Sequence, residues 1–243
     1  MNAFANRNAK EILRDPLTLM FGLGFPVAVI LLLTFIQSNV PVAIFSLDKL
    51  TPGIAVFGLS FISLFSALLI SRDRTSSFML RLFASPMTPV DFILAYTLPL
   101  LPLAIAQVTV CYLTAIILGM EISVNIISAI LLTLPAAIFF IAIGLLCGAV
   151  FTDRQVGGIC GALLTNVGAW LSGTWFDLSL VGEGFKRVAY ALPFARAVDI
   201  GRAALHGDLS GIFPHIWWVI AYAVLTMSLA AAAFTRSVTG KAQ

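Results

Sequence analysis

An all-α membrane protein with six transmembrane helices is the architecture this sequence predicts, and three observations predict it. Six hydrophobic runs, at about 17–36, 50–70, 92–118, 124–151, 156–176 and 212–234, hold no Asp, Glu, Lys or Arg. Each reaches the roughly 20-residue length of a bilayer crossing. Only 10% of the 243 residues are charged while 60% are hydrophobic, whereas a soluble domain is about 25% charged. With a mean hydropathy of +1.04, the chain has more apolar surface than a water-soluble fold can bury, so the bilayer is part of its solvent.

The elements follow in order. Residues 2–15 predict an amphipathic helix, because Arg7, Lys10 and Arg14 share one stripe and Ala5, Ala9, Ile12 and Leu13 share another. Asp15-Pro16 ends it, since a residue before proline disfavours helix. This N-terminal segment, residues 1–16, is expected to lie along the membrane with its basic face toward anionic headgroups. The first hydrophobic run is longer than the core of a cleaved signal and no cleavage site follows it, so it reads as a permanent span. Spans three and four exceed the bilayer thickness and should tilt. Pro26, Pro99, Pro102 and Pro135 interrupt the spans, and neighbouring helices must satisfy the carbonyls they free. The connection 177–211 is apolar and helical in pattern. Pro193 divides it into short helices at about 182–191 and 194–206, the second with Phe194, Val198 and Leu205 near one face. Re-entrant and surface-lying placements both fit. With no repeat and no flexible linker, residues 1–243 read as one domain.

Basic residues set the orientation. Arg7, Lys10, Arg14, Arg72, Arg74, Arg81, Arg154, Arg236 and Lys241 fall on one side of this layout, and the first two opposite loops carry only Lys49. A multi-pass protein of the cell membrane with both termini cytoplasmic is the expectation. Trp170, Trp175, Trp217 and Trp218 then cluster near the outer interface.

Several chemistries have no residues to perform them. Lys and Arg are scattered through short loops, which argues against nucleic-acid binding. Cys111, Cys147 and Cys160 lie within hydrophobic runs at spacings that suit neither a metal site nor a disulfide framework. No ionisable group lies at membrane depth to relay protons. Ser60 lacks the glycine that completes a nucleophile elbow, and His206 and His215 sit near the outer surface, so no catalytic residues are assigned. Gly240-Lys241 lacks the rest of a phosphate-binding loop. The chain is therefore expected to be no enzyme, to hold no cofactor or metal, and to hydrolyse no ATP by itself. Sodium held by backbone carbonyls at broken helices keeps open a stand-alone ion-coupled carrier, and a membrane scaffold is a further alternative.

One segment between spans two and three stands apart: Ser71-Arg-Asp-Arg-Thr-Ser-Ser-Phe-Met-Leu-Arg-Leu-Phe-Ala-Ser-Pro-Met-Thr-Pro89. As a helix over 74–85, it places Phe78, Met79, Leu82 and Phe83 on one face and Arg74, Ser77, Arg81 and Ser85 on another. Ser85-Pro86 would end it. Here the chain resembles the membrane subunit of ABC-2 type exporters, six-span permeases in which spans two and three are joined by a Glu-Arg-Glu-Arg-Gly-Thr stretch followed by Leu and Pro. Arg72, Arg74, Leu82 and Ser85-Pro86-Met87-Thr88-Pro89 match, whereas Ser71 and Asp73 replace the glutamates and Thr75-Ser76 stands where Gly-Thr is usual. Leu50-Thr51-Pro52-Gly53 and Leu192-Pro193-Phe194-Ala195-Arg196-Ala197-Val198 match two further stretches. The resemblance implies that 71–89 is a coupling segment seated in a separate ABC ATPase subunit, which would hold ATP and Mg. Docking would fall to Arg72, Asp73, Arg74, Arg81, Phe83 and Pro86, with Asp153 and Arg154 facing the same partner. It also implies a second permease, a copy or a sister chain. The uncharged spans point to an exported apolar or amphipathic cargo such as a drug, lipid or antimicrobial peptide.

Overall fold

The computed structural model describes residues 2–41, 45–75 and 88–239, and every regular element among them is a helix. The N-terminal helix Asn2–Arg14 leads into span 1 (Pro16–Ser38), span 2 (Leu47–Thr75), span 3 (Pro89–Ile117) and span 4 (Asn125–Val150). Span 5 (residues 153–171), the short helices Glu183–Ala191 and Pro193–Leu205, and span 6 (Leu209–Thr239) complete the chain.

Local chemistry places the helix starts. Asp15 caps span 1, accepting from the Leu17 N–H at 3.1 Å and the Thr18 hydroxyl at 2.8 Å, with Pro16 at the first helical position. Thr88 and Asp91 form a reciprocal capping box at 3.2 and 3.0 Å, so span 3 begins at Pro89, earlier than the hydrophobic run suggests. Two of the interrupting prolines leave visible marks. A π turn at Met20–Gly24 precedes Pro26 and widens the backbone where the ring lacks its N–H. Span 4 breaks at Thr133, just before Pro135.

Span 2 is the hub. Of its most apolar window, 78% is buried within the chain, against 17% for span 6. Spans 2 and 4 meet through small residues. A Cβ on Gly144 would strike the Ser63 carbonyl, and one on Gly148 would strike Ala67 and Ile70. Backbone contact this close depends on the small-xxx-small spacing of both helices. The Ser66 hydroxyl reinforces it by donating to the Ile141 carbonyl at 3.0 Å.

Among the described residues, five helices are long and apolar enough to cross a membrane. The predicted fifth span, 156–176, is not among them. It is a helix over 153–171 with a π stretch at Gly157–Leu164, diluted by Gly157, Gly158, Gly161, Thr165 and Asn166. Gly173, at φ +67°, ends it short of 176. It nonetheless runs antiparallel alongside span 2. Its start adjoins the end of span 2, where Arg74 reaches toward Phe151, and the residues after it reach the beginning of span 2, where Thr174 packs on Gly53.

At that far end the second short helix, Pro193–Leu205, packs against spans 2, 4 and 6, whereas Glu183–Ala191 lies against it with more than half of its residues exposed. The hinge separating them lies deep: the Ala191 carbonyl accepts from Tyr222 of span 6 at 2.8 Å, and Phe194 packs on Phe139 and Phe140 of span 4. Tyr222 lies about 20 Å along span 6 from its beginning at Leu209. The second helix climbs back out, and Asn125 at the start of span 4 donates to the Leu205 carbonyl at 3.1 Å. Pro193–Leu205 is thus built into the helix bundle, while Glu183–Ala191 stays at its edge.

Candidate functional site

The N-terminal helix does not present its basic stripe to solvent as one face. Phe4, Asn8 and Ile12 are its buried positions, while Leu13, expected on the apolar stripe, is 66% exposed. The reason is a docking contact with span 3. Asn8 is fully buried and donates to the Ala95 carbonyl at 3.1 Å. Phe4 meets Tyr96 and Phe92 edge-on, and Phe92 in turn packs on Phe234 of span 6.

Beside this contact is a charged clamp. Arg7 donates to both oxygens of Asp73, at 2.7 and 2.8 Å, in a forked geometry. The Tyr96 hydroxyl donates to the same carboxylate at 2.9 Å. Arg7 also pairs with Glu11, one turn along its own helix, at 2.8 Å. Asp73 is 3% exposed. A carboxylate this buried stays charged only when paired and hydrogen-bonded, and three donors supply that here. The clamp thereby ties the last turn of span 2 to the N-terminal helix and to span 3. Arg74 adds a third tie, donating to the Gly148 carbonyl at the end of span 4 at 2.8 Å. That carbonyl is one of the four that a helix end leaves without an internal partner.

The predicted docking residues therefore separate. Asp73 faces inward with both carboxylate oxygens bonded, while Arg74 is half-buried and its Nη1 is turned toward the end of span 4. Arg72 is exposed. Arg81, Phe83 and Pro86 lie outside the described residues. Asp153 and Arg154 open span 5 at the same end of the bundle, behind a Thr152–Gln155 capping box. Arg154 is exposed, and Asp153 Oδ1 is buried with no hydrogen-bond partner among the described residues. Sequence reasoning missed Asn8 and Tyr96 and misread Arg7. Their partners lie tens of residues away in the chain, and only an unexpected Asn on the apolar side of an amphipathic helix hinted at a buried contact.

A second feature runs along spans 1 and 2. Phe21, Phe25, Phe61, Phe57 and Trp175 form a continuous ladder with ring centroids 5.2–6.3 Å apart. Phe21 and Phe25 remain more than a third exposed, so the ladder offers an aromatic surface at membrane depth. Among the described residues no group of His, Cys, Asp and Glu could hold a metal.

No curated protein and no solved structure matches this chain. The family model described as ABC-2 type transporter matches residues 1–206. With that match and its helical, multi-pass membrane architecture, the chain belongs to the ABC-2 type transporter family and is a membrane permease of an ABC transporter.

Proposed function

We propose that this permease exports an apolar or amphipathic cargo, driven by a separate ATPase subunit that docks on the clamp end. The observation that carries the reading is the Arg7–Asp73–Tyr96 clamp with its Arg74–Gly148 neighbour. Any push on segment 71–89 enters the bundle through Ser71–Thr75. There it meets rigid, buried connections to the N-terminal helix and to spans 3 and 4. In this scheme Arg72, Arg81, Phe83, Pro86, Asp153 and Arg154 contact the ATPase. Asp73 and Arg74 instead hold the base of the lever to the permease. ATP and Mg would be bound by the partner, on the cytoplasmic side, with both termini of this chain there too. A second permease, a copy or a sister chain, would face the aromatic ladder and close a path lined by Phe21, Phe25, Phe57 and Phe61. That lining suits a drug, a lipid or an amphipathic antimicrobial peptide.

Co-expression with the ATPase tests this in two arms. Arg72→Glu with Arg81→Glu and Arg154→Glu is expected to abolish co-purification while leaving membrane insertion unchanged. Asp73→Ala is expected to preserve co-purification yet lower cargo-dependent ATP hydrolysis. Unchanged co-purification in the first arm, or transport by the purified permease with no ATPase present, would overturn the reading.

A further inference from the structure

A cavity of about 720 Å³ opens between the N-terminal helix, the start of span 1 and the last turns of span 2. Its rim carries Arg7, Lys10, Arg14 and Arg72 against the carboxylates of Glu11 and Asp15. Both carboxylates are engaged: Glu11 holds Arg7 at 2.8 Å, and Asp15 accepts from Leu17 and Thr18 as the cap of span 1. Lys10 and Arg14 are exposed and form no ion pair among the described residues. The floor is apolar, made by Phe65, Leu68 and Leu69 of span 2. Phe65 lies two helical turns from Arg72, so charge gives way to hydrocarbon over about 10 Å. Leu17, also lining the cavity, is 60% exposed and continues the apolar wall outward.

We propose that this cavity is a binding site for a resident anionic phospholipid. Lys10 and Arg14 engage the headgroup phosphate, and an acyl chain runs against Leu17, Phe65 and Leu68. The polarity gradient selects an amphiphile over a soluble phosphate, because a free anion gains nothing from the apolar floor. The excess of cations selects an anionic headgroup over a zwitterionic one, and guanidinium and ammonium groups are the usual donors to phosphate. The site needs neither the ATPase nor the direction of transport, so it stands or falls apart from the exporter reading.

The test uses the full-length chain, purified in a neutral detergent and stripped of lipid. It is titrated separately with dioleoyl phosphatidylglycerol, dioleoyl phosphatidylcholine and soluble glycerol phosphate, with bound lipid read by native mass spectrometry. One phosphatidylglycerol should be retained at least tenfold more tightly than phosphatidylcholine, and glycerol phosphate should not bind. Each basic residue near an anionic lipid surface contributes about fivefold in affinity, so Lys10→Gln with Arg14→Gln should remove the preference. Both side chains are exposed, and an unchanged thermal midpoint of that variant will show that its fold is intact. Leu68→Trp, which fills the floor, should weaken retention with the charges left in place. Lys49→Gln with Lys186→Gln, at the far end, should change nothing. Equal binding of the two lipids, binding of glycerol phosphate as tight as that of phosphatidylglycerol, or indifference to both cavity variants would overturn the proposal.

Discussion

Cutting the clamp from its two sides should give unequal losses, and the inequality follows from burial. Asp73 has a side chain 4% exposed, whereas that of Arg7 is 38% exposed. Arg7→Ala strands a buried carboxylate that loses both of its guanidinium hydrogen bonds. Removing one partner of a buried pair costs about 3–5 kcal/mol, and the partial exposure of Arg7, which lets water approach, points to the lower end. Asp73→Ala leaves Arg7 able to turn to Glu11 and solvent, and chiefly orphans the Tyr96 hydroxyl, so about 1–2 kcal/mol is expected. The clamp holds the N-terminal helix, so the loss should appear as local opening there. Hydrogen exchange of the amides of residues 8–13, in the purified chain, reads it directly. Arg7→Ala should speed exchange by about a hundredfold, since 1.4 kcal/mol is a factor of ten. Asp73→Ala should speed it by about tenfold, and the double variant by less than the product of the two. If Asp73→Ala costs as much as Arg7→Ala, or if the double variant is simply additive, the pair is not the buried, coupled clamp described above.

Four further outcomes follow from the packing and the caps. Gly144→Ala and Gly148→Ala should each cost about 1–3 kcal/mol by forcing spans 2 and 4 apart, read as a lower thermal midpoint in detergent. Gly157→Ala and Gly158→Ala, whose added Cβ meets nothing within 4 Å, should be neutral or gain up to about 1 kcal/mol of helix propensity; a loss in the isolated chain would contradict the packing. Arg74→Ala should cost about 1–2 kcal/mol by freeing the Gly148 carbonyl, measured as faster exchange over the last turn of span 4. At the far end, the Ser210 hydroxyl and the Gly211 N–H hold the Asp208 carboxylate below its usual range. A depressed carboxylate stabilises above its ordinary pKa and loses that contribution as pH falls through the lowered value. The start of span 6 should therefore keep constant exchange protection from pH 8 to 5 and lose it only below about 4. Loss near neutral pH would rule out Asp208 as its cap.

Much of the fold was legible because the bilayer imposes a pattern that composition alone reveals. Six charge-free runs of sufficient length were legible, five of which remain long and apolar enough to span among the described residues, and Asp15-Pro16 marks the end of the first helix. The Thr88–Asp91 box was equally readable, though hydropathy drew the eye to Phe92 instead. Span 5 was harder to bound, since its glycines lower the hydropathy and the positive φ that ends it at Gly173 belongs to the backbone. Of the candidate site, sequence could locate segment 71–89 but not say which of its residues turn inward. Whether a carboxylate in the last turn of span 2 meets a partner protein or an arginine 66 residues away depends on how helices are brought together.

By itself, the sequence determined that this chain lives in a bilayer, where its helices begin, and which family it belongs to, because hydrophobic length, caps and short motifs are local properties. Only the tertiary structure decided that the N-terminal helix is bolted to spans 2 and 3 and that Pro193–Leu205 packs among spans 2, 4 and 6. It alone also showed that a basic rim closes over an apolar floor. Those arrangements arise from pairing across the chain, where the cost of burying Asp73, Asn8 and Tyr96 is met only once distant partners arrive together.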